Sequence, residues 1–275
     1  MKMCSKLEIS RSAYYGWLQN PIGKRKLDDI KLTADIKRIL KESYYTYGQR
    51  RIKAVLAQES KNVSCSRIGR IMDENGLYSR LRKKFKQTTN SKHNYPIAPN
   101  LLERNFKADS PNCKWVGDIT YIPTDEGFLY LATVEDLFDN QIVGWSIDER
   151  MKTDLTLNAI NMAIAKEKPS DGIIFHSDRG SQYASYRYQR RLRECSIRQS
   201  MSRKGNCFDN ACAESFFATL KKDIIHGKRY ASKEEAKLEI LEYIEMFYNP
   251  KRLSSKLGYK SPKQFRSDYE LEKSA

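Results

Sequence analysis

The chain has 275 residues, with 50 Lys and Arg against 34 Asp and Glu, for a formal net charge of +16. That length allows one large core with a smaller module and excludes a peptide-sized adaptor. The positive balance points to a polyanionic partner and salt-dependent binding, and no stretch has the length and apolarity of a membrane span.

Six cysteines, at 4, 65, 113, 195, 207 and 212, make no Cys-x-x-Cys pair, and three histidines are all that could complete a zinc site. Structural zinc is therefore set aside. With no apolar leader before Ser5, buried thiols in a reducing cytosol are the simpler account.

Residues 1–90 read as helical and basic. Lys6 to Leu18 places Leu7, Ile9, Tyr14 and Leu18 on one side before Asn20-Pro21 stops it, and Asp28 to Ser43 carries Ile30, Ile36, Ile39 and Leu40. Tyr47-Gly48-Gln49-Arg50-Arg51-Ile52 opens a third helix to about Glu59. Ser64-Cys65-Ser66 caps a fourth, Arg67 to Asn75, which Asn75-Gly76 ends. Two short helices around a polar turn, followed by the basic run from Arg80 to Lys86, look like a helix-turn-helix module with Arg50 and Arg51 toward DNA. The competing reading is a packing subdomain with solvated charges. Gln87 to Pro99 reads as a linker, so the expected division is a helical DNA-binding module over 1–90, a linker over 91–108, and a core with a C-terminal helix and basic tail over 109–270.

From Lys114 the period changes. Trp115 to Pro123, Phe128 to Asp136 and Gln141 to Ile147 form an antiparallel meander, with turns at Asp125-Glu126-Gly127 and Asp139-Asn140. A helix over Thr153 to Lys166, a buried strand over Gly172 to Phe175, a helix over Tyr183 to Cys195 and a strand over Ser196 to Met201 complete βββαβαβ. An α/β mixed sheet with this order resembles the ribonuclease H fold.

Three acids stand out. Asp118 lies inside the first strand, where a charge resists burial and a cation would resolve the cost. Asp178 follows the buried strand and would emerge at its carboxyl end, although Asp178-Arg179-Gly180-Ser181 also reads as a plain turn. Glu214 falls in a helix from about Asp209 or Asn210 to Ile225. Ala213, Phe216, Phe217, Leu220 and Ile224 form its core stripe, and Asn210, Glu214 and Lys221 stack roughly 80 degrees away. Three such acids suit two divalent ions, Mg2+ or Mn2+, that activate one oxygen and stabilise another in a displacement at phosphorus. Singly, each acid is more often structural.

Trp115-x-x-Asp118-Ile119-Thr120, His176-Ser177-Asp178-Arg179-Gly180-Ser181-Gln182-Tyr183 and Asn210-Ala211-x-x-Glu214-Ser215-Phe216-Phe217 resemble the DDE transposase signature. Thirty-five residues separate Asp178 from Glu214, and Lys221 follows seven positions later. Both spacings match the insertion-sequence-three family, specifically its second-frame (OrfB) protein, whose core is similar to retroviral integrases. The resemblance extends to Ser10-Arg-Ser-Ala-Tyr-Tyr-Gly-Trp17, Tyr47-Gly48-x-Arg50-Arg51-Ile52, Tyr248-Asn249 and Leu257-Gly258-Tyr259-x-Ser261-Pro262. One departure is Ser254, where many relatives carry His.

That resemblance implies that Asp118, Asp178 and Glu214 bind Mg2+ and that the enzyme cleaves element ends and joins the 3′ hydroxyl to another strand. It implies Lys221 over a terminal phosphate or base, with Lys204, Arg203 and Arg179 as weaker contacts for which solvated charge is the better reading. It also implies a cytoplasmic, nucleoid-associated protein that oligomerises on DNA, with a first-frame (OrfA) protein as fusion or partner. Tyr183, Tyr186 and Tyr188, beside Arg187, Arg190 and Arg191, could stack on unpaired bases, but a helix burying one tyrosine face is preferred. After Lys228, Ser232-Lys-Glu-Glu opens a helix through Phe247, packed by Leu238, Leu241, Tyr243, Ile244, Phe247 and Tyr248. A DNA-binding repressor with idle acids and a nuclease that cuts without joining are the alternatives.

Overall fold

Apolar residues recurring every three or four positions bury one stripe of three of the N-terminal helices, and period-two runs form the strands that follow. The computed structural model describes residues 4, 8–19, 23–79, 95–203 and 211–274. These fall into two units, Met1–Arg80 and Leu81–Ala275.

The first unit contains α1 (Arg11–Gln19), α2 (Lys24–Glu42), α3 (Gln49–Gln58) and α4 (Cys65–Glu74). Its core is Leu32, Ile36, Ile39 and Leu40 of α2, Ile52 and Leu56 of α3, and Ile68, Ile71 and Met72 of α4. Ile30, one of four apolar positions that fit a helical period only loosely, is 54% exposed. It stands two residues, about 200 degrees, from Leu32, which takes the buried position instead. The Ser64 hydroxyl accepts the Arg67 N–H at 3.2 Å, as the expected cap does, and Gly76 follows α4 at φ +62°. Asp29 of α2 pairs with Arg67 at 2.7 Å and Arg70 at 2.6 Å, tying α2 to α4. The basic run Arg80 to Lys86 and most of the expected linker lie outside the described residues.

The second unit is a five-stranded sheet in the order β3-β2-β1-β4-β5. It comprises β1 (Lys114–Thr124), β2 (Gly127–Asp136), β3 (Ile142–Asp148), β4 (Ile174–Ser177) and β5 (Arg198–Met201). The first three strands pair antiparallel, while β4 lies parallel to β1 and β5 parallel to β4. On one face pack α5 (Thr153–Glu167), α6 (Ser181–Ala184) and α7 (Tyr186–Glu194). Trp115, Val134, Val143, Ile160, Phe175, Tyr183, Tyr188 and Leu192 belong to the dry core there. A Cβ on Gly144 would come within 2.3 Å of the Ala159 carbonyl, so glycine is what lets α5 lie so close to β3.

The single helix expected over Tyr183 to Cys195 is divided at Ser185, whose extended backbone starts α7 and whose hydroxyl accepts the Tyr188 N–H at 3.3 Å. Tyr183 and Tyr188 turn inward and Tyr186 is 64% exposed, so the helix does bury one tyrosine face.

The opposite face carries α8 (Ala211–Leu220), continued by a π-helical turn over Lys221–Ile225. It also carries α9 (Lys233–Glu242), continued by Tyr243–Tyr248 and Asn249–Lys251. Leu238 and Leu241, expected to pack, are exposed; Ala236, Ile240, Tyr243, Ile244 and Phe247 form the buried stripe. Leu238 sits two residues from both Ala236 and Ile240, which turns it to the far side. The Ser232 hydroxyl accepts the Glu235 N–H at 3.1 Å, while the Glu235 carboxylate reaches back to the Ala231 N–H at 3.0 Å. The Asn249 amide exchanges two hydrogen bonds, both 2.9 Å, with the backbone of Ile142, acting as a strand partner for β3 and accounting for the Tyr248-Asn249 pair.

The chain finishes in α10 (Pro262–Ser274). Of the described cysteines none is disulfide-bonded, but Cys113 is exposed and Cys4, Cys65, Cys195 and Cys212 are only half-buried. The expectation of uniformly buried thiols is thereby corrected: their short side chains lie at element ends and rims. Among the described residues no helix is long and apolar enough to cross a membrane.

Candidate active site

Alternation along β1 sends Trp115 to the dry core and Val116 to the other side, so Val116, Asp118 and Thr120 share the face that α8 covers. Thr133 stands across from Asp118 on β2, and Glu135 across from Val116. In the parallel ladder, Gly117 lies beside Ser177. The ladder ends there, one residue before Asp118 on β1 and before Asp178 in the turn that follows β4. The register thus brings the strand segments that precede the two acids side by side.

Asp118 is 7% exposed, and one of its oxygens accepts the N–H of Ile119 at 2.8 Å. Asp178 accepts the Gly180 N–H at 2.9 Å, closing the turn that leads into α6. Turn and acid are therefore compatible readings of Asp178. The Tyr183 hydroxyl feels both carboxylates: burial pushes its pKa well up, and the charges of Tyr188, Asp118 and Asp178 push it further. Behind them His176 is fully enclosed, with Nδ1 2.8 Å from the Ser200 hydroxyl, which accepts the Leu101 N–H at 2.9 Å.

Glu214 stands in the first turn of α8 and is half-buried. The expected stripe of Ala213, Phe216, Phe217, Leu220 and Ile224 is buried throughout, which lays the helix on β1. Lys221 is only 4% exposed, with Nζ 4.7 Å from the centre of the Tyr121 ring. Burial pushes its ammonium down to about 8, and the charge of Asp118 opposes that shift. It is thus a sheltered cation beside an acid.

The helix does not run straight to Ile225 as expected. The Lys221 carbonyl accepts from His226, five residues on, and the wider turn carries Asp223 inward. There Asp223 accepts from the Tyr243 hydroxyl at 2.8 Å and from Arg252 Nε at 2.6 Å. A second buried network sets Arg266 of α10 against Asp136, at 2.8 Å, and against Asp139 and Glu167. Nothing in residue spacing announces either network, because each partner lies far away in sequence.

Asn210 and Lys204 lie outside the described residues. Among the described residues, no three His, Cys, Asp or Glu side chains gather as a metal-sized group. Lys221 feels the charge of Asp118, and Tyr183 feels those of both Asp118 and Asp178. Arg179 donates from Nε to the Ser202 carbonyl at 2.6 Å, bracing the strand end, and Arg203 is exposed. Arg50 is exposed at the start of α3, whereas Arg51 lies over the Tyr47 ring, 5.5 Å from its centre. Ser254, in place of the family His, pairs its backbone with Lys260.

Residues 108–207 and 214–269 match two models described as integrase core domain, and residues 26–85 match an HTH-like domain. Fold and matched domains together define a polynucleotidyl transferase of integrase-core type with a helix-turn-helix-like N-terminal domain. The chain is 44% identical to the insertion element IS600 uncharacterized 31 kDa protein of Shigella sonnei, covering 97% of this chain and 98% of that one. It is 44% identical to the transposase for insertion sequence element IS904 of Lactococcus lactis, over 88% and 96% of the two chains. Against the transposase InsF for insertion sequence IS3A of Escherichia coli, identity is 38% over 96% and 93%. The chain belongs to the insertion-sequence-three family of transposases and acts in insertion-element transposition as a DDE enzyme.

Proposed function

We propose that Asp118, Asp178 and Glu214 are the catalytic and metal-binding acids. With Mg2+ or Mn2+ they serve cleavage at element ends and joining of the resulting 3′ hydroxyl to a second DNA strand. The observation that carries this reading is the β1–β4 register, which sets Gly117 beside Ser177, the residues just before Asp118 and Asp178. The helix bearing Glu214 lies on the same strand as Asp118.

The donor set consists of carboxylate oxygens without thiol or imidazole, which fits a hard divalent cation. When bound, such ions activate an attacking oxygen and stabilise the departing one. The protein's own part is preorganisation. The Ile119 and Gly180 N–H groups each hold one oxygen of their acid, and burial keeps Asp118 from turning outward. Lys221, sheltered beside Asp118, would hold the terminal phosphate, and Arg203, Lys204 and Arg179 would flank the strand more weakly.

In this reading residues 1–90 grip duplex DNA with Arg50 and Arg51, residues 91–108 connect, and residues 109–270 catalyse. The working form is an oligomer on element ends and target DNA, joined or assisted by a first-frame (OrfA) protein, in the bacterial cytoplasm at the nucleoid. The test incubates fused and unfused protein with labelled element ends and Mg2+ and scores joined strands. Asp118→Asn, Asp178→Asn and Glu214→Gln should each abolish joining and retain DNA binding. Near-normal joining by one of them removes that residue from the site, and cleavage without joining in the parent protein replaces transfer with a nuclease.

A further inference from the structure

Beside the first turn of α8 lies an acid that the site does not use. Glu135 on β2 is 4% exposed and stands across from Val116, on the sheet face that also carries Asp118. The wall there is apolar, with Val116, Leu137 and Ala213 in one cluster and Cys212 and Ile174 packed against it. The ladder slips between Val134 and Glu135, where β3 has one residue more than its partner strand. Asn140 bonds to the carboxyl, while Oε2 has no hydrogen-bond partner among the described residues. A carboxylate in that position lacks the donors it would have in water.

The groups facing it come from several elements. Asp136 on its own strand and Asp139 just beyond repel it, and Lys256 from the Ser255–Leu257 turn attracts it. The Cys212 thiol of α8 and the Tyr248 phenol are raised above their ordinary range, first by burial and next by the charge of Glu135, an effect that Lys256 opposes at Cys212 and Arg252 at Tyr248. Burial pushes Glu135 itself up to about 8 against its Asn140 hydrogen bond.

We propose that Glu135 is a positioning residue for α8. As a neutral acid it seats the first turn of the helix, and with it Glu214, against the sheet; as a carboxylate it unseats that turn by drawing in water. β2 is held by strands on both sides, so the covering helix is the element that can yield. The link to joining rests on Glu214 being a catalytic acid, but the seating of the helix does not.

The test is amide hydrogen exchange across residues 211–217 of the full chain without DNA or metal, from pH 6.5 to 9.5, after correction for intrinsic exchange. In the parent protein, opening should rise by about tenfold per pH unit above the titration of Glu135. It should stay level in Glu135→Gln, and in Glu135→Met if the Gln variant folds poorly. Joining, scaled to its maximum, should fall on the alkaline side in the parent and persist in Glu135→Gln. Equal pH profiles in parent and variant overturn the proposal, as does a variant that is looser by one factor at every pH. Should Glu214→Gln still join strands, the catalytic reading fails while the exchange result stands.

Discussion

The two faces of the central sheet solve opposite problems. Under α5, α6 and α7 it meets Trp115, Phe175, Tyr183 and Tyr188, a wall of large rings and branched chains. Under α8 and α9 the same strands present Asp118, Thr133, Glu135 and His176. One face can bury apolar area without electrostatic cost, and it anchors the sheet. The other spends part of that stability on acids, each of which needs a backbone donor, a cation or a proton. Catalytic sites commonly occupy such ground, and here the dry face holds in place the strands that align the acids.

Substitutions should therefore separate the faces. The greatest effect on chemistry belongs to Asp118→Asn and Asp178→Asn, which should lower joining by more than ~100-fold with little change in melting temperature, since even outer partners of metal ligands are worth about 10–100-fold. For stability, Arg266→Met leaves Asp136, Asp139 and Glu167 enclosed without their shared cation. It should cost about 3–5 kcal/mol in urea denaturation. Phe175→Ala on the dry face should cost about 3–5 kcal/mol as well, yet leave joining per folded molecule close to normal. A Phe175 variant with full stability but no joining would erase the distinction between the faces.

Glu135 gives a finer probe. The folded chain keeps this proton to about pH 8, whereas the unfolded chain loses it near the ordinary 4.5. Stability from this group is therefore complete at low pH and falls as pH rises from about 4.5 to about 8. Glu135→Gln should remove that decline from melting curves taken across the range. Smallest of all, Ser232→Ala deletes the cap on α9 and should cost ~1 kcal/mol, with no effect on joining.

Much of this was legible in advance where the pattern is local. The meander from Lys114 to Asp148, the α8 stripe and the cap at Ser232 follow from periods and short-range hydrogen bonds. The expectation failed where a residue's side was decided by one turn of helix, as at Ile30, Leu238 and Leu241, or where the helix changed pitch, as at Lys221–Ile225. Motif spacing pointed to Asp118 and Asp178 as partners, but that the segments leading to them run side by side comes from the parallel register of β1 and β4. Glu135 gave no signal, because a lone acid at the end of a strand reads like any solvated turn.

Residue order was enough to establish the mixed α/β architecture, the basic partner-seeking charge and the family, since these depend on periodicity, composition and motif spacing. Which charges lie enclosed together was settled by folding. The strand that leads to Asp178 runs beside the one that carries Asp118, Arg266 gathers three acids and Glu135 is shut beside α8 because strand register and helix pitch join positions that no local interaction connects.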